Sequence, residues 1–298
     1  MGLWFNPPMK FPFQTIALIG KYKAPHIAEP LLRLAEFLTQ QGVKVVVDSL
    51  TAKYLTQHPY PVHPMEEVGK RADLVVVLGG DGTLLNIARI LSADSIPLVG
   101  VNQGRLGFLT DLPLHHVQDM LLDMLNGNFT IEHRVLLSTR ILRNHTEMFH
   151  SLAFNEVVLH RGNLSNVIEF EVRIDGEHLY HQRADGMIIT TPTGSTAYAL
   201  SAGGAILHPA LDVMQLIPIC PHTLSNRALV VKSHAQLEVL MRTPQPVTVR
   251  FDSHLHYEVA QHDRLLITRH PQSACLLHPT SYSYYRTLRE KMLWNHTS

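Results

Sequence analysis

Apolar positions along this chain follow two rhythms, and the change falls near residue 130. Up to that point short aliphatic runs alternate with stretches whose apolar residues recur every three or four positions. Residues 14–19 read as a strand, 27–41 as an amphipathic helix stopped at Gly42, and 43–48 as the next strand. The unbroken apolar run 74–78 predicts a buried strand, 84–91 a helix, 97–101 another strand, and 115–125 a helix ending at Asn126-Gly127. Such alternation implies a parallel sheet covered by helices, with ligands at the C-terminal ends of the strands. Beyond residue 130 the text turns to β-like runs at 135–142, 149–159, 167–174, 187–191, 237–241, 247–251 and 265–268. The expected division is an α/β domain over 1–130, a β-rich domain over 131–280, and a helix-compatible terminal segment over 281–298, with 282–294 as the helix. No internal repeat or low-complexity segment interrupts this order.

Composition narrows the function classes. The 298 residues are 45% hydrophobic, enough for substantial cores. Lys plus Arg and Asp plus Glu each number 25, so bulk charge favours neither a nucleic-acid backbone nor an anionic membrane as partner. Cys220 and Cys275 lie far apart in apolar text, which speaks against a disulfide framework or thiolate metal site and for a reducing cytoplasm. The start of the chain lacks the pattern of a signal peptide, and no uncharged apolar run is long enough to span a bilayer. The 20 histidines are scattered and form no zinc signature, so no dedicated metal-ligand set is expected.

The strongest chemical signal is Gly79-Gly80-Asp81-Gly82-Thr83, between the strand at 74–78 and the helix that follows. Glycines let phosphate oxygens approach main-chain N–H groups, and a helix start adds unsatisfied donors and a positive dipole end. Gly79, Gly80 and Thr83 are therefore phosphate-loop candidates. Asp81 is the odd member, because a carboxylate repels polyphosphate unless a cation intervenes or it faces the nucleophile. The competing reading makes Asp81 a helix cap on a merely tight turn. The run is neither a P-loop nor a dinucleotide fingerprint, since Leu85 stands where a third glycine would fall.

Two further groups sit in the β-rich half. Residues 185–204 pass from an apolar strand into hydroxyls and glycines, and Thr193, Ser195 and Thr196 can donate to phosphate or ribose oxygens, unless they only cap a turn. Asn155-Glu156 interrupts an apolar run, so strand alternation points one of the pair inward, where it needs a partner such as a ribose hydroxyl; a solvated edge strand is the alternative. A Gly-x-Ser-x-Gly elbow is missing around Ser195, which removes the serine-hydrolase reading.

Taken together, Gly79 to Thr83, Asn155-Glu156 and Thr191-Pro192-Thr193-Gly194-Ser195-Thr196-Ala197-Tyr198 resemble the motif set of the bacterial NAD kinases. The run 99–111, Arg183-Ala184-Asp185-Gly186, Pro221-His222-Thr223-Leu224 and Asp252-Ser253 fall in that family's order. Diacylglycerol and sphingosine kinases share a similar double-glycine Asp motif but lack the 191–198 sequence, which leaves a lipid kinase as the second reading and a non-catalytic nucleotide-sensing module as the third. The resemblance implies a Rossmann-like N-terminal domain, a β-rich, β-sandwich-like C-terminal domain, and a terminal segment packing back on the first. It implies ATP-dependent phosphorylation of the adenosine ribose 2′-hydroxyl of NAD, a divalent cation such as magnesium, and a cytoplasmic homodimer or homotetramer. In that frame Asp81 is the proton acceptor and Gly82 approaches the NAD beside it. Asn155, Glu156, Asn166, Arg183, Asp185, Thr196, Ala197, Tyr198, Ala199, Leu200 and Ser201 match binding positions. Thr83 stands where many relatives have asparagine. His254 stands where glutamine or asparagine is expected, and it is carried over as a binding candidate.

Overall fold

The computed structural model describes residues 12–104, 106–162, 167–223 and 226–294. The chain divides into two compact units, residues 1–132 with 275–298, and residues 133–274.

The first unit is built on a sheet with strands in the order Val62–His63, Lys44–Asp48, Thr15–Gly20, Leu74–Leu78, Pro97–Asn102, Ala274–Pro279 and Phe129–Arg134; the short Leu112–Pro113 also pairs with Pro97–Asn102. The central pairings are parallel, as the alternation of strands and helices implies. Helix Ala28–Gln40 buries Leu31, Leu34, Ala35 and Leu38, a three-and-four spacing that makes one apolar face. Each such leucine contributes about 1.5–3 kcal/mol by leaving water. The chain turns out of this helix at Gly42, whose φ of +82° suits a residue without Cβ.

The second unit is a β-sandwich of two six-stranded sheets. One has the order Leu229–Lys232, Val213–Ile219, Gly186–Thr190, Glu156–His160, Val247–Phe251, Leu255–Val259; the other Glu177–Ala184, Ile168–Ile174, Leu237–Met241, Arg264–Arg269, Leu137–Arg143, Thr146–Ala153. All described pairings are antiparallel, and inward residues such as Val157, Ile189 and Phe251 from one sheet share a core with Phe170, Val239 and Ile267 from the other.

Several sequence boundaries move. The helix read at 27–41 is a 3₁₀ turn, Pro25–Ile27, followed by Ala28–Gln40; that at 115–125 begins as a 3₁₀ turn, Leu114–His116, before Val117–Leu125. The terminal helix shortens to Tyr284–Lys291, where the Ser283 hydroxyl accepts from the Arg286 amide. The apolar run 149–159 breaks into Thr146–Ala153 and Glu156–His160. Between them the amides of Phe154, Asn155 and Glu156 turn to the Asp252 carboxylate. The expected boundary at 280 also shifts, because Ala274–Pro279 pairs with Pro97–Asn102 and so returns the chain to the first sheet at residue 275. Cys220 is exposed, not set in apolar surroundings; Cys275 is half-buried, and both are free.

Candidate active site

In the first unit the fully buried strand Leu74–Leu78 ends at Gly79, and helix Asp81–Ile90 starts with Gly80 as its N-cap. The helix thus begins three residues before the expected Leu84, and Asp81 occupies its first position. A capping aspartate would accept amides from its own first turn. Asp81 instead reaches across to the loop 107–110. Its Oδ2 accepts from the amide of Phe108 at 2.7 Å, while Oδ1 accepts from the amides of Leu109 and Thr110 at 3.0 and 3.1 Å and from the Thr110 hydroxyl at 3.0 Å. This geometry removes the capping reading. The negative charge still gains from the helix dipole, by about 0.3–1 kcal/mol.

The loop comes this close because residue 107 has no side chain: a Cβ there would stand 2.0 Å from Asp81 Oδ1. Asn102, buried at the end of its strand, donates from Nδ2 to the Thr110 carbonyl at 3.0 Å and so fixes the far end of the loop. The amide of Gly79 donates to the Val101 carbonyl and that of Thr83 to the Gly80 carbonyl, both at 2.9 Å. Gly80 and Gly82 face open space, with nothing within 4 Å of a Cβ built on either, so a ligand has access to their backbone.

In the second unit Asn155 and Glu156 are held by their backbone from two sides. Asp252, itself buried, accepts from the amides of Phe154 (3.0 Å), Asn155 (2.8 Å) and Glu156 (3.1 Å). The Asn155 carbonyl accepts from the amide of Thr191 at 2.9 Å and the hydroxyl of Thr190 at 3.0 Å. Gly194 packs on that same carbonyl, where a Cβ would come within 2.3 Å. The 191–198 sequence is therefore the support on which Asn155 rests.

This support changes the reading of its hydroxyls. Ser195 is fully buried, its hydroxyl donating to the Pro192 carbonyl at 2.7 Å and accepting from the Leu207 amide at 2.9 Å. Thr193 accepts from Arg134 Nη1, and Thr196 donates to the Thr193 carbonyl. These hydroxyls bond to protein groups, within the loop at Pro192 and Thr193 and outside it at Arg134 and Leu207, as side chains that fix a turn do.

A groove of about 880 Å³ in this unit gathers Glu156, Asp185, Tyr198 and His254 with His160, Arg161 and Arg250. Tyr198 is exposed, Asp185 pairs with Arg161 at 3.2 Å, and His254 is exposed with Nδ1 3.2 Å from the Ser253 hydroxyl. The structure does not bring every candidate to the groove wall. Arg183 points out from its strand while its carbonyl accepts from the His222 amide. Ala199 is buried against Val158, Ile188 and Ile217, a covering role on the outer face of the sheet. Ala197 and Leu200 are half-buried and Ser201 is exposed, and Asn166 lies outside the described residues. Asp252 is the residue that motif reading left without a role. Its signal was weak, an acid at the end of an apolar strand, and only the fold reveals the three amides it receives.

Glu156 carries a strongly perturbed carboxyl in this groove. Its side chain is buried, Oε2 has no hydrogen-bond partner among the described residues, and burial first, then the nearby Asp252 charge, pushes its carboxyl from 4.5 up to about 8. At neutral pH it is mainly a neutral acid, able to donate a hydrogen bond. Because the folded-state value lies above the unfolded one, its contribution favours folding at low pH and is lost as pH rises through the window from 4.5 to about 8. Denaturant unfolding across that window should show wild-type stability falling relative to Glu156→Gln, which cannot ionise. A constant difference between the two proteins would remove the protonated acid.

Residues 16–129 match the family model of the ATP-NAD kinase N-terminal domain, and residues 154–278 that of the ATP-NAD kinase C-terminal domain. The NAD kinase of Nitrosomonas europaea is 55% identical over 283 residues, covering 95% of this chain and 96% of the relative. That of Nitrosospira multiformis is 51% identical over 287 residues, covering 96% and 98%. Among solved structures, yeast NADH kinase complexed with NADH superposes with a TM-score of 0.86 at 25% identity, covering 99% of this chain and 90% of that one. The NAD kinase of Archaeoglobus fulgidus in complex with ATP gives 0.75 at 26%, covering 94% and 98%. Both halves of the sequence match the same family, in its own domain order and over nearly its full length; the chain belongs to the ATP-NAD kinase family.

Proposed function

We propose that Asp81 accepts the proton of the adenosine ribose 2′-hydroxyl of NAD as that oxygen attacks the terminal phosphoryl group of ATP, giving NADP and ADP. The chain is a phosphotransferase acting on an alcohol group. The observation that carries the role of Asp81 is the uneven filling of its carboxylate: Oδ1 takes three donors and Oδ2 one. A carboxylate oxygen offers about two lone-pair sites, so Oδ2 keeps room for a substrate hydroxyl while the loop fixes its direction. A ribose hydroxyl is a weak nucleophile, and phosphoryl transfer needs in-line placement as well as a base.

Asn155 and Glu156 are proposed to hold the NAD. The Asn155 side-chain amide has no hydrogen-bond partner among the described residues, and its backbone is fixed, so a donor–acceptor pair stands ready for ribose or base atoms. Asp185, Tyr198 and His254 line the same groove as Glu156 and belong to the same proposal; Arg183, Thr196, Ala197, Ala199, Leu200 and Ser201 enter it on the resemblance alone. A divalent cation, magnesium in this proposal, enters on the ATP phosphates as part of the substrate. No helix among the described residues is long and apolar enough to cross a membrane. Cytoplasmic residence, supported by two free thiols, and a homodimer or homotetramer, supported by the family resemblance, complete the reading.

Incubation of the purified protein with ATP, magnesium and NAD should yield NADP; a folded protein that makes none overturns the assignment. Asn155→Ala should raise KM for NAD by roughly 5- to 100-fold, the equivalent of losing one buried polar contact, with a much smaller rise for ATP. Equal rises for both substrates would place the damage in the fold.

A further inference from the structure

We infer that the C-terminal segment positions Asp81 through the loop 107–111, with His278 as the positioning residue. The inference rests on the reading of Asp81 as the base, and every contact it uses lies within the first unit.

His278 sits on the strand Ala274–Pro279 with its side chain 2% exposed. Its Nδ1 is 3.0 Å from Asp111 Oδ2, its Nε2 is 3.0 Å from Glu132 Oε2, and the Tyr282 ring stacks on it at 4.0 Å between centroids. These are the groups that face it: Asp111 from the loop, Glu132 from the strand Phe129–Arg134, and Tyr282 just after its own strand. Both ring nitrogens point at carboxylate oxygens, and only the doubly protonated ring donates to both. Burial works against that charge, but the hydrogen bonds and charges of Asp111 and Glu132 outweigh it and raise the imidazole above its ordinary value.

Asp111 directly follows Thr110, and Phe108, Leu109 and Thr110 supply all four hydrogen bonds that Asp81 receives among the described residues. The same C-terminal segment meets the other end of this cradle, where Lys291 of helix Tyr284–Lys291 lies 5.6 Å from the centre of the Phe108 ring. The cradle is thus held at Phe108 and at Asp111, with Asn102 fastening Thr110 between them. A displacement of about 1 Å in a positioned group can cost 100-fold in rate, so slack at Asp111 is transmitted to the direction of Asp81 Oδ2. When the ring loses a proton, one nitrogen presents a lone pair to a carboxylate and one tether is lost. The charged ring is present below its raised value and is lost as pH rises through it, so the positioning weakens on the alkaline side.

His278→Gln keeps one tether and removes the charge. Expected are a fall in kcat of about tenfold or more with KM for ATP and NAD within about threefold, and a flattened alkaline limb of the kcat profile. Amide hydrogen exchange at residues 108–110 should accelerate by about tenfold or more. In an Asp81→Asn background the same substitution should cost no further kcat, because a residue that acts through Asp81 has nothing left to position. Unchanged exchange at 108–110, or losses that multiply in the double variant, would overturn the inference. If His278→Gln does not fold, the isosteric Asp111→Asn is read by the same exchange and the same cycle. Near-normal kcat in Asp81→Asn alone would instead strike the base reading, and the exchange result would still decide whether His278 holds the cradle.

Discussion

Asp81→Asn is expected to lower kcat by about 100-fold or more while KM for ATP and NAD stays close to the wild-type values. The exchange preserves size and removes the proton acceptor, and a positioned base contributes roughly 100- to 10,000-fold. The cradle sharpens the expectation. With three donors converging on Oδ1, the asparagine oxygen takes that side, and its amide group is left facing the Phe108 N–H across the 2.7 Å gap now bridged by Oδ2. Two donors face each other there, so a stability loss of about 1–3 kcal/mol should accompany the kinetic one. Steady-state kinetics with a thermal unfolding curve separates the two. A kcat near wild type would leave Asp81 as a fastening point for the 107–110 loop and nothing more.

The second large effect belongs to Asp252. Its φ of +50° lies in the left-handed region, which asparagine also tolerates, so Asp252→Asn tests the carboxylate and not the backbone. The variant loses charge-assisted bonds to buried amides, and one of the amides at 154–156 comes to face an NH₂ group. We expect a destabilisation of about 3 kcal/mol and a rise in KM for NAD of tenfold or more. The Glu156 carboxyl, now near 8, should fall because one of its two causes, the Asp252 charge, is gone. Denaturant unfolding and NAD titration across pH read all three; wild-type behaviour would mean that strand pairing alone shapes the Asn155-Glu156 turn.

Much of this architecture was legible in the sequence because the parallel strands of the first unit are buried on both sides and read as unbroken apolar runs, as in Leu74–Leu78. The Gly79 to Thr83 and 191–198 motifs were legible for the same reason that they matter: close backbone approach restricts residue type. What escaped was of two kinds. The strands Glu177–Ala184 and Leu255–Val259 lie at sheet edges with most side chains in solvent, so their apolar alternation is weak, and Val213–Ile219 carries a proline that argues against a strand. The second kind is non-local. That Asp252 anchors three amides nearly a hundred residues away, and that Asp81 is cradled by 108–110, are facts of tertiary contact which no window of sequence contains.

The placement of Ala274–Pro279 sets a timetable for the newborn chain. This strand lies between Pro97–Asn102 and Phe129–Arg134 in the first sheet, whereas the sandwich is encoded in one continuous stretch from residue 133 to 274. On the ribosome the inserted sandwich has all its strands before the first domain has its own. Until residues 274–279 emerge, the Pro97–Leu98 end of one strand and the facing edge of Phe129–Arg134 lack their partner, and an unpaired edge is a template for mispairing with other chains. Residues 274–279, translated after the whole sandwich, are what seals the first domain against aggregation.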